Sequence, residues 1–170
     1  MKAQSASPRL THVDARGRAR MVDVSGKPMT AREAVASGTV RMSPQALQAV
    51  LSGTLEKGDV IAVARVAGIQ AAKRTSELIP MCHPLGLTHV DVECVPDRRL
   101  PGLRLTATVR CTGPTGAEME ALTAVAVAAL TVIDMGKSLD RWMTIDAIGL
   151  RSKSGGKSGS LRRPSRAASS

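Results

Sequence analysis

The sequence predicts an α+β fold in which helices pack on an antiparallel sheet. Residues 89–94 and 103–111 alternate between apolar and polar side chains, which is typical of strands that bury one face. Residues 117–139 are rich in alanine and leucine and are apolar nearly all round in their middle, which predicts a deeply buried helix. A last strand is predicted over residues 142–150. Helices laid on such a sheet form an α+β sandwich, and the order of elements fits a ferredoxin-like plait with N-terminal additions.

The N-terminal part of the chain carries weaker local signals. Residues 11–24 are predicted as a short hairpin, residues 29–37 as a short helix and residues 39–42 as a brief strand. The helix prediction rests on Thr30 as an N-cap and on Gly38 as a stop. These pieces are the N-terminal additions to the plait.

Two further helices have recognisable starts. The first begins with Ser43 as its cap and Pro44 at its first position, where the missing N–H does no harm, and it ends at Gly53. The second has Asp59 as its N-cap and is predicted to run to Leu78. One face of this second helix carries small or apolar residues, namely Ile61, Ala64, Ala67 or Gly68, Ala71 and Ala72. Another backbone can approach that face closely, either within the chain or between subunits.

The positive charge lies at the two ends of the chain. The 170 residues carry a formal net charge of +10. Residues 1–20 hold five cations and one anion, residues 151–170 hold six cations and no anion, and the remainder balances at 13 of each. Such ends are typical of solvated, disordered segments, although they also attract nucleic acid without sequence specificity. The sequence therefore predicts a disordered lead over residues 1–8, a single domain over 9–159 and a basic disordered tail over 160–170.

The composition argues against several classes of protein. Phe and Tyr are absent and Trp142 is the only aromatic residue, so the platform on which many modules stack single-stranded bases is missing. Three cysteines are too few for a disulfide framework, and their spacing does not favour a zinc site. The longest apolar run, residues 121–133, has 13 residues, whereas a membrane span needs about 20. Because the start lacks the apolar stretch of a signal peptide, a cytoplasmic protein is expected.

Asp134 and Lys137 form a candidate catalytic pair near the end of the apolar helix. Their separation of three residues puts them on neighbouring positions of one helix face. They fit an acid/base couple, but their spacing alone favours a plain surface ion pair. Glu120 lies 14 residues before Asp134, which is about 21 Å along the helix. If both carboxylates serve one site, either the substrate is long or the site is shared between subunits.

Residues 153–159 (KSGGKSG) contain a partial phosphate-loop pattern. The full pattern fails because Arg151 stands where its first glycine is required. Lys153 and Lys157 remain as cations on a glycine-rich segment, which either folds over a phosphate or is a solvated linker. His83, in a turn bounded by prolines, is either a structural residue or a ligand for an anion.

Eight segments in order resemble the molybdenum cofactor biosynthesis protein C (MoaC) family. They are residues 10–14 (LTHVD), 21–25 (MVDVS), 57–59 (KGD), 67–75 (AGIQAAKRT), 78–85 (LIPMCHPL), 112–123 (TGPTGAEMEALT), 134–137 (DMGK) and 153–159. The resemblance covers about residues 9–159. It implies a ferredoxin-like subunit in a homohexamer, a trimer of dimers with active sites at the dimer interfaces.

The resemblance also implies a reaction. The substrate would be 3′,8-cyclo-7,8-dihydroguanosine 5′-triphosphate, supplied from GTP by a radical S-adenosylmethionine enzyme. A lyase reaction would convert it into cyclic pyranopterin monophosphate and pyrophosphate. No cofactor is required, although a divalent cation such as Mg²⁺ can accompany the triphosphate. No specific nucleic acid and no membrane is expected as a partner.

The resemblance assigns roles to individual residues. Asp134 resembles the catalytic carboxylate of the family, and Lys57, Lys73 and Lys137 resemble its active-site lysines. The predicted substrate-binding residues are Met81, Cys82, His83, Met119, Glu120, Glu118, Asp23, Lys153 and Lys157. Two other functions are less favoured by the sequence. One is a basic module that binds RNA or a carrier protein through its charged ends, and the other is an inactive relative that serves as an assembly subunit.

Overall fold

The computed structural model describes residues 16–164, which form one five-stranded antiparallel sheet with helices packed on it. The elements are β1 (Thr30–Arg41), α1 (Pro44–Ser52), α2 (Val60–Lys73), α3 (Thr75–Leu78), β2 (Leu87–Asp97), β3 (Gly102–Gly113), α4 (Glu118–Gly136), β4 (Thr144–Ser154) and β5 (Leu161–Arg162). The strand order is β2-β3-β1-β4-β5. The first four strands and the two long helices have the connectivity of a ferredoxin-like plait, which confirms the predicted fold class.

Helices α2 and α4 pack side by side on one face of the sheet. Their contact is close because Gly68 of α2 faces α4: a Cβ added there would lie 2.9 Å from the carbonyl oxygen of Ala124. The small-residue face predicted for the second helix therefore packs within the chain. Beneath the helices, the core is completed by Leu103 and Leu105 of β3, neither of which is exposed.

The helix predicted over residues 29–37 is wrong, because this segment is the first part of β1. β1 pairs with β3 along its whole length and with β4 on its other side, so it lies in the interior of the sheet. Ala34, Ala36 and Val40 are buried on its core face. Pairing on both sides satisfies the backbone of the segment, which outweighs local helix signals such as the predicted cap and stop. The brief strand predicted over residues 39–42 falls at the end of β1.

The predicted starts of α1 and α2 are confirmed. The hydroxyl of Ser43 accepts a hydrogen bond from the N–H of Ala46 at 3.2 Å. The carboxylate of Asp59 accepts one from the N–H of Ala62 at 2.9 Å. Each cap satisfies an N–H that has no partner within its helix, which fixes where the helix begins.

The second predicted helix is not continuous to Leu78. It breaks at Arg74, whose φ is −111°, and the short α3 follows. Beyond the break, the hydroxyl of Thr75 donates to the carbonyl oxygens of Ala71 and Ala72. A Thr hydroxyl that bonds to carbonyls of the preceding turn bends a helix slightly, and these bonds accompany the break.

The predicted strand pair and the apolar helix are confirmed as β2, β3 and α4. β2 continues through Asp97, so the turn to β3 lies at residues 98–101. Among residues 16–164, α4 is the one helix long and apolar enough to cross a membrane, and more than half of that stretch is buried. Buried core helices of soluble proteins have the same properties.

The glycine-rich segment after residue 150 packs against the body of the protein. β4 continues through Lys153 to Ser154, and Gly155 follows with a φ of 91°. A Cβ at Gly155 would collide with the carbonyl oxygen of Ala31, so only glycine fits there. This contact favours a folded segment over a solvated linker.

The ends of the chain are described only in part. Leu161–Arg162, which the sequence places in a disordered tail, form β5 and pair with β4. The lead at residues 1–8, the start of the predicted hairpin and residues 165–170 lie outside the described residues. The described part of that hairpin, residues 16–24, contains a single bridge residue, Ala19, and no strand.

Candidate active site at the two ends of helix α4

A cavity lies at each end of α4. Glu118 and Glu120 line the cavity at the start of the helix, and Asp134 lines the cavity at its end. The cavity at its start, called here the Glu120 cavity, has a volume of about 360 Å³. Its lining residues are Val22, Val24, Lys27, Met81, Cys82, His83, Leu85, Thr115, Gly116, Glu118, Met119 and Glu120. The cavity at its end, called here the Asp134 cavity, has a volume of about 440 Å³ and is lined by Lys57, Ile133, Asp134, Met135, Lys137, Ser138 and Arg141.

Asp134 is held by two lysines, one on each carboxylate oxygen. Lys137 Nζ donates to Oδ1 at 2.7 Å, and Lys57 Nζ donates to Oδ2 at 3.1 Å. Lys57 also donates to the carbonyl oxygen of Asp134 at 2.8 Å. The predicted pair of Asp134 and Lys137 is therefore part of a three-residue cluster, since Lys57 comes from the loop between α1 and α2.

The two ammonium groups fix the charge state of Asp134. The hydrogen bond from Lys137, followed by the bond from Lys57, lowers the pKa of the Asp134 carboxyl below its usual value. The carboxylate is therefore ionised at neutral pH, although its side chain is 60% exposed. Such a cluster presents ammonium donors to a phosphate group and a carboxylate oxygen to a proton, which are the requirements of acid/base and phosphoryl chemistry.

Arg141 is a cation of the Asp134 cavity that the sequence did not indicate. It follows Lys137 by four residues, beyond the end of α4, so helix periodicity could not assign it to the same face. Its guanidinium adds a planar group suited to phosphate oxygens.

Glu120 is in the opposite environment at the start of α4. Its residue surface is 4% exposed, and burial raises the pKa of its carboxyl, with the charge of Glu118 adding to the shift. A carboxyl with a raised pKa holds its proton to higher pH, so Glu120 is suited to donate a proton. The sequence predicted Glu120 near the start of the helix and as a binding residue, but it did not indicate that the side chain is buried.

Glu118 and Lys153 form an ion pair beside Glu120. Lys153 Nζ lies 2.7 Å from Glu118 Oε1, and each side chain is 26% exposed. The pair connects β4 to the start of α4. The extension of β4 past residue 150 thereby brings one of the two predicted lysines of the KSGGKSG segment to a lining residue of the Glu120 cavity.

The predicted segment around His83 also reaches the Glu120 cavity. Met81, Cys82 and His83 line it together with Met119. Burial raises the pKa of the Cys82 thiol, and the charge of Glu120 raises it further. Cys82 is thus a neutral thiol at neutral pH, which suits packing and weak hydrogen bonding and not nucleophilic attack.

Lys27 and Thr115 are further lining residues that the sequence did not indicate. Lys27 follows the MVDVS motif by two residues, and this proximity could have identified it as a candidate site residue. Asp23, a predicted binding residue within that motif, lies next to the lining residues but does not line the cavity. Its carboxylate accepts hydrogen bonds from the N–H and the hydroxyl of Ser25, and the backbone bond is the main reason that its pKa is lowered.

Two predicted lysines are not brought to either cavity. Lys73 lies at the end of α2 and lines a third cavity of about 470 Å³ with His89. That cavity shares Leu85 with the Glu120 cavity. Lys157 is exposed and lines none of these cavities. Within residues 16–164, no group of three or more His, Cys, Asp or Glu side chains is placed to hold a metal ion.

The chain is similar to known proteins over most of its length. The model of the MoaC family matches residues 21–156, a range that includes every lining residue of the Glu120 and Asp134 cavities. The chain is 60% identical over 155 residues to a cyclic pyranopterin monophosphate synthase of Chloroflexus aurantiacus (strain ATCC 29366 / DSM 635 / J-10-fl), covering 91% of this chain and 95% of that one. It is 61% identical over 151 residues to a protein of the same name from Methylobacterium sp. (strain 4-46), covering 89% and 94%. A third, from Chloroflexus aggregans, is 60% identical over 154 residues, covering 91% and 93%.

Proposed function

The chain belongs to the MoaC family, and from this premise we propose that it is a cyclic pyranopterin monophosphate synthase of molybdenum cofactor biosynthesis. The proposed reaction converts 3′,8-cyclo-7,8-dihydroguanosine 5′-triphosphate into cyclic pyranopterin monophosphate with release of pyrophosphate, which makes the enzyme a phosphorus–oxygen lyase. A radical S-adenosylmethionine enzyme would supply the substrate from GTP. The observation that carries the proposal is the Asp134 carboxylate held between Lys57 and Lys137 in a chain 60% identical to named synthases.

The residue types in the two cavities suit the steps of this reaction. Closing the cyclic phosphate requires a sugar hydroxyl to attack the α-phosphorus while pyrophosphate leaves. Negative charge then grows on the leaving oxygens, where positioned ammonium groups such as those of Lys57 and Lys137 are most stabilising. Asp134, ionised, would accept protons, and the buried Glu120 would donate them, because their environments shift the two pKa values in opposite directions.

The separation of the two cavities supports a site shared between subunits. Glu120 and Asp134 lie on one helix about 21 Å apart along its axis. A two-fold axis across α4 would place the Glu120 cavity of one subunit against the Asp134 cavity of the other. Val66 and Leu130, on the two helices, are 59% and 57% exposed and would be covered in such a pair. We propose that these dimers form the homohexamer implied by the family resemblance, and that the assembly brings Lys73 and Lys157 to the substrate.

The proposal extends to the surroundings of the reaction. A divalent cation such as Mg²⁺ would enter with the triphosphate as part of the substrate. The cytoplasm is the proposed location, because it supplies GTP and because Cys82, Cys94 and Cys111 are free thiols, as is usual in a reducing compartment.

The first test is a single-turnover reaction with the purified cyclised triphosphate, following pyrophosphate release and pterin formation. Asp134→Asn is expected to lower the rate at least about 100-fold, since the amide cannot accept the proton. The matched control is Glu77→Gln, which breaks another exposed ion pair three residues apart, that of Arg74 and Glu77. Equal activity of Asp134→Asn and the control would reduce the Asp134 cluster to a surface ion pair and contradict the proposal.

A second test asks whether the site is shared. Asp134→Asn and Glu120→Gln are each expected to be inactive, and the two chains are then co-expressed to form mixed dimers. A mixed dimer has one site with both substitutions and one intact site, so random pairing restores about a quarter of the wild-type activity. No recovery in verified mixed dimers would assign both carboxylates to sites within one chain.

A further inference from the structure

A cavity of about 850 Å³ opens on the face of the sheet opposite the helices. Ser37 and Thr39 of β1 line it, as does Arg104 of β3; along their strands these residues alternate with the buried core positions. The cavity is completed by β4 and by the chain at and after β5, up to Pro164. It shares no lining residue with the Glu120 cavity or the Asp134 cavity.

Four arginines line this cavity, and no carboxylate of residues 16–164 does. They are Arg104, Arg151, Arg162 and Arg163. Arg104 is neutralised, because its Nη2 lies 2.6 Å from Asp97 Oδ2. For the other three, the structure of residues 16–164 records no ion pair. Like charges converging on one concave surface repel one another, so the arrangement favours a bound anion.

The backbone around the arginines shapes the cavity. The N–H of Arg163 donates to the carbonyl oxygen of Arg151 at 2.8 Å, which ties the chain after β5 to β4. The guanidinium of Arg163 lies against Gly149, where an added Cβ would come within 2.6 Å of Nη1. Ala147 has a φ of 54°, at the point where the pairing of β1 and β4 shifts register. A left-handed alanine is unfavourable and is retained where surrounding structure requires it.

We propose that this cavity binds an oligophosphate, of the class of pyrophosphate or the triphosphate chain of a nucleotide, at a site separate from the proposed active site. Guanidinium groups bind phosphate oxygens in pairs of parallel hydrogen bonds. Three arginines that have no ion pair within residues 16–164 match the charge of such a chain. The volume lies in the range of small-molecule sites. Arg162 and Arg163 lie beyond the residues 21–156 that match the family model.

The test is calorimetric titration of the full chain in its native assembly with inorganic tripolyphosphate, at physiological salt. The Lys57→Ala/Lys137→Ala variant is used as the background, so that the lysines of the Asp134 cavity do not contribute. Adding Arg162→Ala/Arg163→Ala is expected to weaken binding at least about tenfold. The matched control adds Arg98→Ala/Arg99→Ala, which removes the same charge from two adjacent exposed arginines outside the cavity and is expected to leave binding unchanged.

Several outcomes would overturn the site. They are an equal loss in both arginine pairs, no saturable binding of tripolyphosphate, or saturable binding of a short RNA in its place. GTP is titrated in parallel to distinguish a free oligophosphate from a nucleotide. Equal affinities for GTP and tripolyphosphate would show that only the phosphate chain is recognised, and a higher affinity for GTP would identify a nucleotide as the ligand. Turnover by Arg162→Ala/Arg163→Ala with the lysines intact is expected to equal that of the wild type, and a loss would show that the cavity belongs to the active site. Because binding is measured without turnover, failure here is distinguishable from failure of the proposed function.

Discussion

The two ends of α4 hold carboxylates in opposite electrostatic states. Glu120, at the start, is buried, and its pKa is raised because burial disfavours the charged form. Asp134, at the end, is exposed, and its pKa is lowered because two lysines donate to the charged form. The helix is the same and the residue types are nearly the same, so the difference comes from what each end contacts. One helix can therefore carry a proton donor and a proton acceptor without any difference in intrinsic chemistry.

The middle of α4 differs from both ends. Ala124 and Ala128 are fully buried, and both lie close to Gly68 of α2. The contact at Gly68 fixes how α4 sits on the sheet, and hence where its two ends project. The middle of α4 therefore contributes mainly to stability and its ends mainly to the proposed reaction. Substitutions at the Asp134 end should change turnover with little effect on stability.

The largest expected effect is at the Asp134 end. Lys137→Ala or Lys57→Ala leaves one carboxylate oxygen without its ammonium partner and removes a donor for phosphate. Each should lower turnover by about 100-fold or more while the unfolding midpoint is unchanged, because exposed ion pairs contribute little to stability. Steady-state kinetics and thermal unfolding measure both. Arg74→Ala, which breaks the Arg74–Glu77 pair, is the control, and a similar loss of turnover there would contradict a specific role for the lysines.

The next effect is expected at the middle of the helix. In Gly68→Ala, the new methyl group meets the carbonyl oxygen of Ala124 at 2.9 Å, so α4 must shift. Overpacking of this kind costs about 1–3 kcal/mol of unfolding free energy. Denaturant unfolding measures the loss, and turnover should fall with it because both ends of α4 move. Ala62→Gly, at an exposed position of the same helix, serves as a propensity control with a cost below about 1 kcal/mol. An unchanged stability of Gly68→Ala would show that the two helices are free to separate.

A smaller, pH-dependent effect is expected at Glu120. Its pKa is raised in the folded protein, so its favourable contribution is complete below the ordinary carboxyl pKa, about 4.3, and is lost as pH rises toward the folded value. Glu120→Gln cannot ionise. Its stability relative to the wild type should therefore increase as the pH rises above about 4.3. Denaturant unfolding between about pH 4 and neutral pH checks the sign, with Glu77→Gln, at an exposed ion-paired carboxylate, as the control. A constant difference would mean that Glu120 is not desolvated.

The smallest expected effect is the reverse pH dependence at Asp134. Its pKa is lowered, so its contribution is present above the ordinary value, about 3.9, and is lost as pH falls through the folded value. The stability difference between the wild type and Asp134→Asn should shrink on acidification, and added salt should shrink it at neutral pH, since the cluster is exposed. Direct titration of the Asp134 carboxyl by NMR gives the pKa, which should move back toward its ordinary value in Lys137→Ala. An unshifted wild-type pKa would contradict the geometry of the cluster.

The predictions from sequence succeeded where neighbours along the chain decide the structure. The caps at Ser43 and Asp59 and the buried helix α4 were predicted from a few adjacent residues. They failed at β1, whose alanine-rich segment has helix signals at both ends but pairs with strands more than 60 residues away. They also failed at the break at Arg74, because the apolar periodicity continues across it.

The candidate site divides in the same way. The motifs identified Asp134, Lys57, Glu120 and the segment at His83 as site residues. They did not reveal how buried each side chain is or which protonation state its surroundings favour. Lys57 and Asp134 are 77 residues apart, so their hydrogen bond is not visible in local spacing. Lys27 and Arg141, which line the cavities, were missed because each lies just outside a motif or a helix.

The sequence by itself determined the fold class, the family and the identity of the chemical groups, because periodicity, caps and ordered motifs are encoded over short stretches. Tertiary structure alone decided that Glu120 is buried and that Asp134 is held between two lysines. It also decided that Leu161–Arg162 pair with β4 as β5, beside the arginine-lined cavity. The physical reason is common to all of these: solvation and charge depend on which distant groups come within a few ångströms, and only the folded chain sets those distances.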